Sequence, residues 1–537
     1  MSAAVTFAFD YVIVGAGAAG CVLANRLTEN SSATVALIEA GGEGRHPWIT
    51  IPAGFSKVMV GEAFNWRFAT EPEGSVQGRS IAVPRGKGLG GSTLINGMIY
   101  VRGQKNDFDG WAQRGARGWS FADVLPYFRK LEDFVSDDGD RTRGRGGPMR
   151  IERVAERPPI AEAFLSAAAQ AGYARNPDYN GETQDGFGYY QVTQKNGRRW
   201  SAADGYLKPA RRRANLAVFT RTQAQGLEIC DGRAAAVHCA RGAEALRIAA
   251  RREILVAAGA IQTPHLLELS GVGDPGLLAA AGVAVRLARR DVGAGYQDHF
   301  ATRMNWRVSR RLTLNDQARG LPLLLAAARY AFTRRGILTL GTGLAHGFVR
   351  TRPGLDGPDA QYFFMHASYA NAADRRLDRE PGMTIGVTQL RPQSRGSIHL
   401  RSSDPRMPPA IRPNFLDAAI DRQTIVEAMK IARAIVAKPA MDAWRAHEMN
   451  PGPGVESDAE WLDFARANGQ TIYHPVGTCR MGGDPDSVVD ERLRLRGVSG
   501  LRVVDASVMP TIVSANTQAA VMMIAEKAAD MIREEAR

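Results

Sequence analysis

The stretch that decides the fold is Phe9-Asp10-Tyr11-Val12-Ile13-Val14-Gly15-Ala16-Gly17-Ala18-Ala19-Gly20. Residues 9–14 are mostly β-branched and aromatic, which predicts a buried strand, and residues 21–27 after the glycines have the pattern of a helix. A second buried strand is predicted over residues 34–38 and ends at Glu39. Strand, glycine turn, helix and strand in this order predict the opening of a doubly wound, Rossmann-like α/β sheet.

The glycine turn predicts a dinucleotide site. Gly15 permits the tight turn, Gly17 lets the backbone approach a pyrophosphate, and Gly20 lets helix and strand pack closely. The start of the helix offers unpaired N–H groups to the phosphate charge, and Glu39 can accept hydrogen bonds from a ribose. The predicted contacts are Gly15, Ala16, Gly17, Ala18, Gly20, Glu39 and Ala40. A glycine turn without a ligand is the alternative, and the pattern alone does not separate FAD from NAD.

Composition and charge narrow the function classes. The 537 residues carry a net charge of +13, but the arginines are interleaved with acids and form no long basic block, so we expect no nucleic-acid partner. Four cysteines without a CxxC pair predict neither a zinc site nor a disulfide framework, and we expect no metal. Without a signal-like N-terminus or an apolar run of about 18 residues, we expect a cytoplasmic protein with no membrane span. The longest apolar candidate, residues 321–332, is predicted to be a packed helix.

The remaining sequence shows two different hydrophobic patterns. Residues 253–258 repeat the buried-strand pattern, and so do residues 501–504, which precede a helical run over residues 517–532. From about 300 to 470 the apolar residues alternate with polar ones in longer runs, which predicts an antiparallel sheet with one exposed face.

Four blocks of sequence follow one another along the chain. They are Gly86-Lys87-Gly88-Leu89-Gly90-Gly91-Ser92-Thr93-Leu94-Ile95-Asn96-Gly97-Met98-Ile99-Tyr100-Val101-Arg102-Gly103, then Gly259-Ala260-Ile261-Gln262-Thr263-Pro264-His265-Leu266-Leu267, then Tyr473-His474-Pro475-Val476-Gly477-Thr478-Cys479-Arg480-Met481-Gly482, and last Val504-Asp505-Ala506-Ser507 to Ser514-Ala515-Asn516-Thr517. In content and order the blocks resemble the signatures of the glucose–methanol–choline (GMC) oxidoreductases, above all the choline dehydrogenase-like alcohol dehydrogenases and oxidases. The resemblance covers nearly the whole chain.

The resemblance implies FAD and a division of the chain into two domains. A discontinuous FAD-binding domain is expected over 1–155, 205–300 and 470–537, and a substrate-binding domain over 156–204 and 301–469. Some relatives attach the flavin through a histidine, but Ile95 stands at that position, so non-covalent FAD is expected. Besides the glycine turn, the resemblance implies FAD contacts from Trp66, Arg85, Gly86, Gly90, Gly91, Ser92, Asn96, Gly97, Met98, Gly226, Asp505, Ala506 and Thr517.

Alcohol oxidation by hydride transfer to flavin N5 requires a base, because an alkoxide expels hydride far more readily than a neutral alcohol. A neutral imidazole can take the hydroxyl proton near physiological pH, and the resemblance places His474 in that role with Asn516 beside it. Asn516 also stands where an N-cap of the last helix is expected, which is the structural alternative. Ile472, Tyr473 and, with its position left open, His366 are expected to line the substrate pocket.

The expected activity is oxidation of a primary alcohol to an aldehyde, with O2 or a quinone-type acceptor taking the electrons. The alternatives are another reaction on the same scaffold, of the hydroxynitrile lyase or decarboxylase type, and a catalytically silent flavoprotein. The sequence leaves open the identity of the alcohol, the choice between oxidase and dehydrogenase, and the oligomeric state.

Overall fold

A computed structural model describes residues 5–29, 31–135, 142–371 and 375–536 of the chain. The predicted opening is present: the strand Val5–Val14 leads through the glycine turn into the helix Ala18–Thr28, and the strand Val35–Ile38 follows. Both strands end in consecutive fully buried residues, as expected for strands covered on two faces.

The first sheet is the doubly wound one. It contains, in spatial order, Leu216–Phe219, Val35–Ile38, Val5–Val14, Glu244–Val256, Arg233–Arg241 and Gln223–Cys230, with Leu501–Val503 also paired to Glu244–Val256. The pairings among Leu216–Phe219, Val35–Ile38, Val5–Val14 and Glu244–Val256 are parallel. The helix Ala18–Thr28 packs against the last helix, Gln518–Glu535, and Arg26 forms an ion pair with the buried Glu526 at 2.8 Å. The helix Gln518–Glu535 thus packs beside the first sheet, against the helix that follows the glycine turn.

The second sheet is antiparallel throughout and comes almost entirely from the region predicted to contain it. Its order is Arg445–Asn450, Phe300–Val308, Gly382–Gln389, Ala360–Met365, Ala345–Val349 and Gly186–Tyr189, with Gln470–Thr471 also paired to Phe300–Val308. One continuous apolar core joins residues of both sheets. The predicted fold class, a Rossmann-like sheet with an antiparallel sheet beside it, is confirmed.

Shorter elements connect and flank the two sheets. The smaller sheets consist of Ala294–Tyr296 with Gly396–His399 and Ala410–Arg412; Glu132–Phe134 with Met149–Arg153 and Gln191–Val192; Phe68–Ala69 with Ala82–Val83; Gln194–Lys195 with Arg198–Arg199; Val272–Gly273 with Leu287–Ala288; and Tyr369–Asn371 with Arg376–Leu377. The other α-helices are Pro47–Thr50, Phe55–Val58, Lys105–Gln113, Phe121–Leu131, Pro159–Gln170, Lys208–Ala210, Gly259–Leu269, Pro275–Ala280, Leu314–Gln317, Gly320–Thr333, Ala419–Val436 and Asp458–Asn468.

One helix that was predicted to be packed is largely exposed. Residues 321–332 do form a helix, Gly320–Thr333, but the helix is not packed: Leu324 is 67% exposed and Phe332 is 90% exposed, and Tyr330 is its one buried residue. Hydrophobicity alone predicted burial wrongly here, because it does not report whether a neighbouring element covers the helix. Among the described residues, no helix is both long and apolar enough to cross a bilayer.

Candidate active site

A deep cavity lies where the parallel strands of the first sheet end. Val14 and Ile38, the last residues of two of those strands, line it, and so does Ala257, which follows a third. The second sheet contributes Phe363, Met365 and Gly386 on the opposite side. The cavity volume is about 340 Å³, within the range of small-molecule sites. Ligands of open α/β sheets bind at this edge, outside the carboxyl ends of the strands.

The glycine turn forms one wall of the cavity. Gly15 has φ +102°, and a Cβ on it would lie 2.5 Å from the carbonyl oxygen of Ala257. A Cβ on Gly20 would lie 1.8 Å from the carbonyl oxygen of Gly15, so this glycine allows the helix to approach the turn. Gly17 differs, since a Cβ there would meet nothing within 4 Å, and this residue lines the cavity. Gly17 therefore keeps open the space in front of the first turn of the helix Ala18–Thr28, which no side chain caps.

A second glycine-rich loop, residues 86–91, packs directly onto the first. Gly91 has φ +51°, and a Cβ on it would lie 2.6 Å from Gly17 Cα. The N–H of Gly90 donates to the carbonyl of Ala16 at 2.8 Å. Two backbones in contact form a cradle without side chains, which suits close approach by a pyrophosphate.

Glu39 connects the two loops through hydrogen bonds. Its buried carboxylate accepts the N–H groups of Ala16 (3.0 Å), Gly41 (2.7 Å) and Gly88 (3.0 Å). Burial raises the pKa of Glu39, and the three backbone donors oppose that rise. Because Glu39 also lines the cavity, it can hold the loops and still present oxygen lone pairs to a ribose.

The cavity fits the cofactor that the sequence predicts. It has a backbone cradle, an uncapped helix start for phosphate, and an acid at the end of the second strand, which together suit a dinucleotide. A second uncapped helix start, at Thr517 and Gln518, faces the cavity from the end of the chain. The chemistry of the residues present therefore fits FAD.

His474 lies at the centre of the polar groups in this cavity. Its Nε2 is 3.1 Å from Nδ2 of Asn516, and its Nδ1 is 3.0 Å from Nδ1 of His299. The other nitrogen of His299, Nε2, is 2.9 Å from the carbonyl oxygen of Leu390. The three side chains come from positions 299, 474 and 516, and the fold brings them into one chain of hydrogen bonds.

This chain of contacts determines which nitrogens carry protons. A carbonyl oxygen only accepts, so Nε2 of His299 must donate to Leu390. In a neutral His299, Nδ1 is then an acceptor, and Nδ1 of His474 must be the donor to it. Neutral His474 is thereby left with a lone pair on Nε2, and Nδ2 of Asn516 donates to it. The nitrogen that can take a proton is the one beside Asn516.

Burial keeps both imidazoles neutral. It lowers the pKa of His299 to about 4, and it lowers the pKa of His474 well below 6.5, with His299 and Arg85 adding repulsion. The backbone of His474 is held separately: Asp298 accepts its N–H at 2.8 Å, and the hydroxyls of Tyr296 and Thr471 donate to the same carboxylate. Burial raises the pKa of Asp298 to about 6.

Most of the predicted site residues line this one cavity. They are Gly15, Gly17, Ala18, Glu39, Ala40, Trp66, Arg85, Gly86, Gly91, Ser92, Asn96, Gly97, Met98, Ile472, Tyr473, His474, Asp505, Ala506, Asn516 and Thr517. Ala16, Gly20 and Gly90 lie just outside it and hold the two loops in position. At the last helix, Thr517 occupies the N-cap position, and the Asn516 side chain points instead to His474.

Two predicted contacts lie away from the cavity. Gly226 is beyond a bulge in the strand Gln223–Cys230, and Ala224, on the near side of the bulge, lines the cavity in its place. His366 follows the strand Ala360–Met365, in which Phe363 and Met365 face the cavity. Side chains alternate along a strand, so His366 is directed to the other face, where it is buried.

Sequence reasoning missed His299, Asp298 and two arginines of the cavity wall, Arg303 and Arg375. His299 and Asp298 stand in the triplet Gln297-Asp298-His299, and adjacent acid and imidazole groups are the signal that could have marked them. Arg303 carries no such signal, because an arginine in an alternating strand is ordinarily solvent-exposed.

Comparison with protein families identifies the family of the chain. Models described as GMC oxidoreductase match residues 9–301 and 392–525. The chain is 38% identical over 528 residues to an oxygen-dependent choline dehydrogenase of Vibrio vulnificus, covering 98% of this chain and 94% of that protein. It is also 38% identical over 527 residues to an alcohol dehydrogenase [acceptor] of Pseudomonas putida, covering 98% of this chain and 95% of the other.

Solved structures show the same architecture. The pyridoxine 4-oxidase of Mesorbium loti superposes with a TM-score of 0.88 at 31% identity, over 98% of this chain and 99% of that one. A variant of the Aspergillus oryzae formate oxidase superposes with a TM-score of 0.92 at 27% identity, over 99% of both chains.

Proposed function

The chain belongs to the GMC oxidoreductase family and has FAD as its cofactor, and on that premise we propose that it oxidises a primary alcohol to an aldehyde, with His474 as the base. FAD supplies the acceptor for the two electrons that leave the substrate carbon as hydride. The protein itself must bind the alcohol, orient it and take the hydroxyl proton. The observation that carries the proposal is the acceptor lone pair on His474 Nε2, which faces the cavity beside Asn516.

His474 suits this task because its protonation state is predetermined. The contact with His299 holds the ring proton on Nδ1, so Nε2 keeps its lone pair. A substrate hydroxyl that displaces the Asn516 N–H from that lone pair can pass its proton to Nε2. Once protonated, His474 still donates through Nδ1 to His299, and the ring need not turn. His299 acts through His474 and is therefore a positioning residue.

Asn516, which contacts Nε2 of His474, also supports the proposal. Its amide nitrogen donates to Nε2, and its Oδ1 is buried without a hydrogen-bond partner among the described residues. A substrate hydroxyl at Nε2 would stand beside both amide atoms, which can orient it and stabilise the developing alkoxide.

The mode of FAD attachment and the electron acceptor are further parts of the proposal. Ile95 lines the cavity and has no nucleophilic atom, so we expect FAD to be bound non-covalently. The electrons are then passed to O2 or to a quinone-type acceptor. The name of one relative specifies oxygen, and the name of the other specifies an acceptor without identifying it.

Anaerobic addition of alcohols to the FAD-loaded protein tests the proposal. Bleaching of the oxidised flavin absorbance by a primary alcohol is expected, and repeating turnover with O2 or a quinone identifies the acceptor. A lyase or a silent flavoprotein would bind its ligand without bleaching.

Replacement of the base makes the test specific. His474→Ala should lower the rate of flavin reduction by roughly 10²- to 10⁴-fold, because it removes the ring nitrogen beside Asn516 that takes the proton, while FAD stays bound. His447→Ala, which removes an exposed imidazole from the second sheet, is the matched control and should reduce at the wild-type rate. Wild-type reduction in the His474 variant would refute the assignment of the base.

A further inference from the structure

Two guanidinium groups line the same cavity as His474. Arg303 lies on the strand Phe300–Val308 of the second sheet, and Arg375 lies beside the short hairpin of Tyr369–Asn371 and Arg376–Leu377. The aromatic residues Tyr369 and Tyr473 are close to Arg303, and Tyr473 directly precedes His474. The two arginines therefore line the same cavity as His474, Arg303 from the second sheet and Arg375 from beside the short hairpin.

Neither guanidinium is neutralised by a carboxylate within the described ranges. Arg375 is 2.9 Å from the sulfur of Met59 and 5.3 Å from the ring centroid of Phe55, and both are neutral partners. Arg307, four residues after Arg303 on the same strand, shows the usual arrangement, since it pairs with Asp378 at 2.9 Å. An arginine that is partly buried without an acid is costly unless an anion or solvent meets it.

The charges of the residues that line the cavity also favour an anionic ligand. Among the described residues its acidic lining residues are Glu39 and Asp505. Glu39 accepts the N–H groups of Ala16 and Gly41, and Asp505 accepts the N–H of Gly259 and the hydroxyl of Thr263. Besides these two acids, the charged residues of the described lining are the cations Arg85, Arg303 and Arg375. Asp298, which accepts the backbone N–H of His474, is not part of the lining. Burial lowers the pKa of Arg303, with repulsion from Arg375 as a further cause, which is the signature of two cations facing one space.

The register of the sheet leaves room for a ligand beside Arg303. Arg303 pairs with Gly386, and Gly386 pairs with Phe363, so the three form one row across three strands. All three line the cavity, and the middle position has no side chain. A carboxylate held by Arg303 can therefore extend across Gly386 toward the apolar wall formed by Phe363 and Met365.

We propose that the alcohol oxidised by this protein also carries a carboxylate, which Arg303 and Arg375 bind. The inference rests on the proposed function and specifies its substrate class. The planar fork of arginine matches a carboxylate with two parallel hydrogen bonds. The same two groups repel a quaternary ammonium, so a cationic alcohol such as choline is selected against.

Matched alcohols test the inference on the FAD-loaded wild type under anaerobic conditions. One set is 4-(hydroxymethyl)benzoate, benzyl alcohol and a trimethylammonium-substituted benzyl alcohol, and the other is 4-hydroxybutanoate, 1-butanol and choline. In each set kcat/KM for flavin reduction should be highest for the carboxylate and lowest for the cation. A higher kcat/KM for the neutral or the cationic member in both sets overturns the inference and leaves the proposed function intact. If no alcohol bleaches the flavin, both the proposed function and the inference about the carboxylate are refuted.

Variants then locate the carboxylate. Arg303→Gln and Arg375→Gln should each raise KM for 4-(hydroxymethyl)benzoate by about 10- to 100-fold relative to KM for benzyl alcohol measured in the same variant. Arg311→Gln, which removes the same charge from a side chain that is 80% exposed, is the control. Arg303→Lys keeps the charge but loses the fork, and should give an intermediate KM.

A binding measurement avoids turnover altogether. Benzoate, which has no hydroxymethyl group to oxidise, should perturb the flavin absorbance of the wild type and of Arg311→Gln at similar concentrations, and of Arg303→Gln only at concentrations about tenfold or more higher. Equal affinity in all three proteins would show that the arginines do not bind the carboxylate.

Discussion

The two ring nitrogens of His474 have different partners, and that difference determines its chemistry. Nδ1 donates to His299, which in turn donates to the carbonyl of Leu390, while Nε2 accepts from Asn516. The carbonyl of Leu390 lies at one end of this series of hydrogen bonds, and it thus selects the tautomer of His474, which is two hydrogen bonds away. Within the described ranges no carboxylate contacts either ring, so burial lowers both pKa values without an opposing charge at the ring.

The lowered pKa of His474 predicts the pH profile. The base must be neutral, and a pKa well below 6.5 means that the neutral form persists as the pH falls through 6.5. We therefore expect kcat/KM for anaerobic flavin reduction to stay level from pH 8 down to pH 6.5 and to decline only at lower pH. A decline in kcat/KM centred at pH 7 or above that disappears in His474→Gln would contradict this prediction.

Loss of the partner that positions His474 should slow the reaction without removing the base. His299→Phe leaves Nδ1–H of His474 without an acceptor, so the ring can turn or exchange tautomers, and we expect the reduction rate to fall about 10- to 100-fold. His299→Gln, whose amide oxygen can accept the same N–H, should recover part of the rate. Equal rates in both variants, with FAD contents equal to wild type, would limit His299 to a packing role.

At the scale of elements, two glycine-rich loops in contact form the phosphate cradle. The turn over residues 15–20 and the loop over residues 86–91 are held together by the Gly90–Ala16 hydrogen bond and by the three N–H groups that Glu39 accepts. A Cβ on Gly91 would lie 2.6 Å from Gly17 Cα, so the contact between the two loops leaves no room for a side chain at Gly91. Gly17 is the one whose missing side chain leaves the cavity itself open.

Valine at Gly17 should therefore prevent cofactor binding. A Cβ there projects into open space in front of the helix Ala18–Thr28, and the valine methyl groups would occupy the position of the pyrophosphate. We expect Gly17→Val to purify colourless, as judged by FAD released on denaturation. Gly226→Val is the matched control, since that position is also open but lies off the cavity, and it should retain FAD. A fully loaded Gly17 variant would contradict the assignment of the cradle.

For the whole molecule, the two sheets share one core, and that core contains buried neutral histidines. Burial lowers the pKa of His366 to about 4 and that of His346 to about 3. In the unfolded chain these histidines bind protons near their usual pKa of 6.5, but in the folded protein they do not. The free energy of unfolding is therefore undiminished by these groups above pH 6.5 and decreases as the pH falls toward 4. Buried carboxylates with raised pKa values, Asp298 among them, act in the opposite direction.

A single substitution isolates the histidine contribution from that of the carboxylates. His366→Gln keeps a polar side chain at a position outside the cavity and removes the titrating group. Between pH 7 and pH 5 the free energy of unfolding of the wild type should fall relative to the variant by about 1–3 kcal/mol. Thermal unfolding of both FAD-loaded proteins at the two pH values measures the difference, and an identical pH dependence of the two melting temperatures would refute the link.

The sequence by itself determined the elements whose residues interact with near neighbours. The strand, glycine turn, helix and acid over residues 9–39 follow from local periodicity and from the conformations that glycine permits, and the structure reproduces them within a few residues. The family blocks identified the cofactor and the pair His474 and Asn516, because the residue types at those positions reflect chemistry rather than packing.

Only the tertiary structure decided what depends on contacts between distant parts of the chain. The tautomer of His474 depends on His299, 175 positions away, and on a carbonyl whose direction no residue type predicts. The placement of Arg303 depends on strand register, since a shift of one residue would turn its side chain to the other face of the sheet. The exposure of the helix Gly320–Thr333 and the position of His366 outside the cavity have the same origin: periodicity distinguishes the faces of an element, but only the packed fold shows what lies against each face.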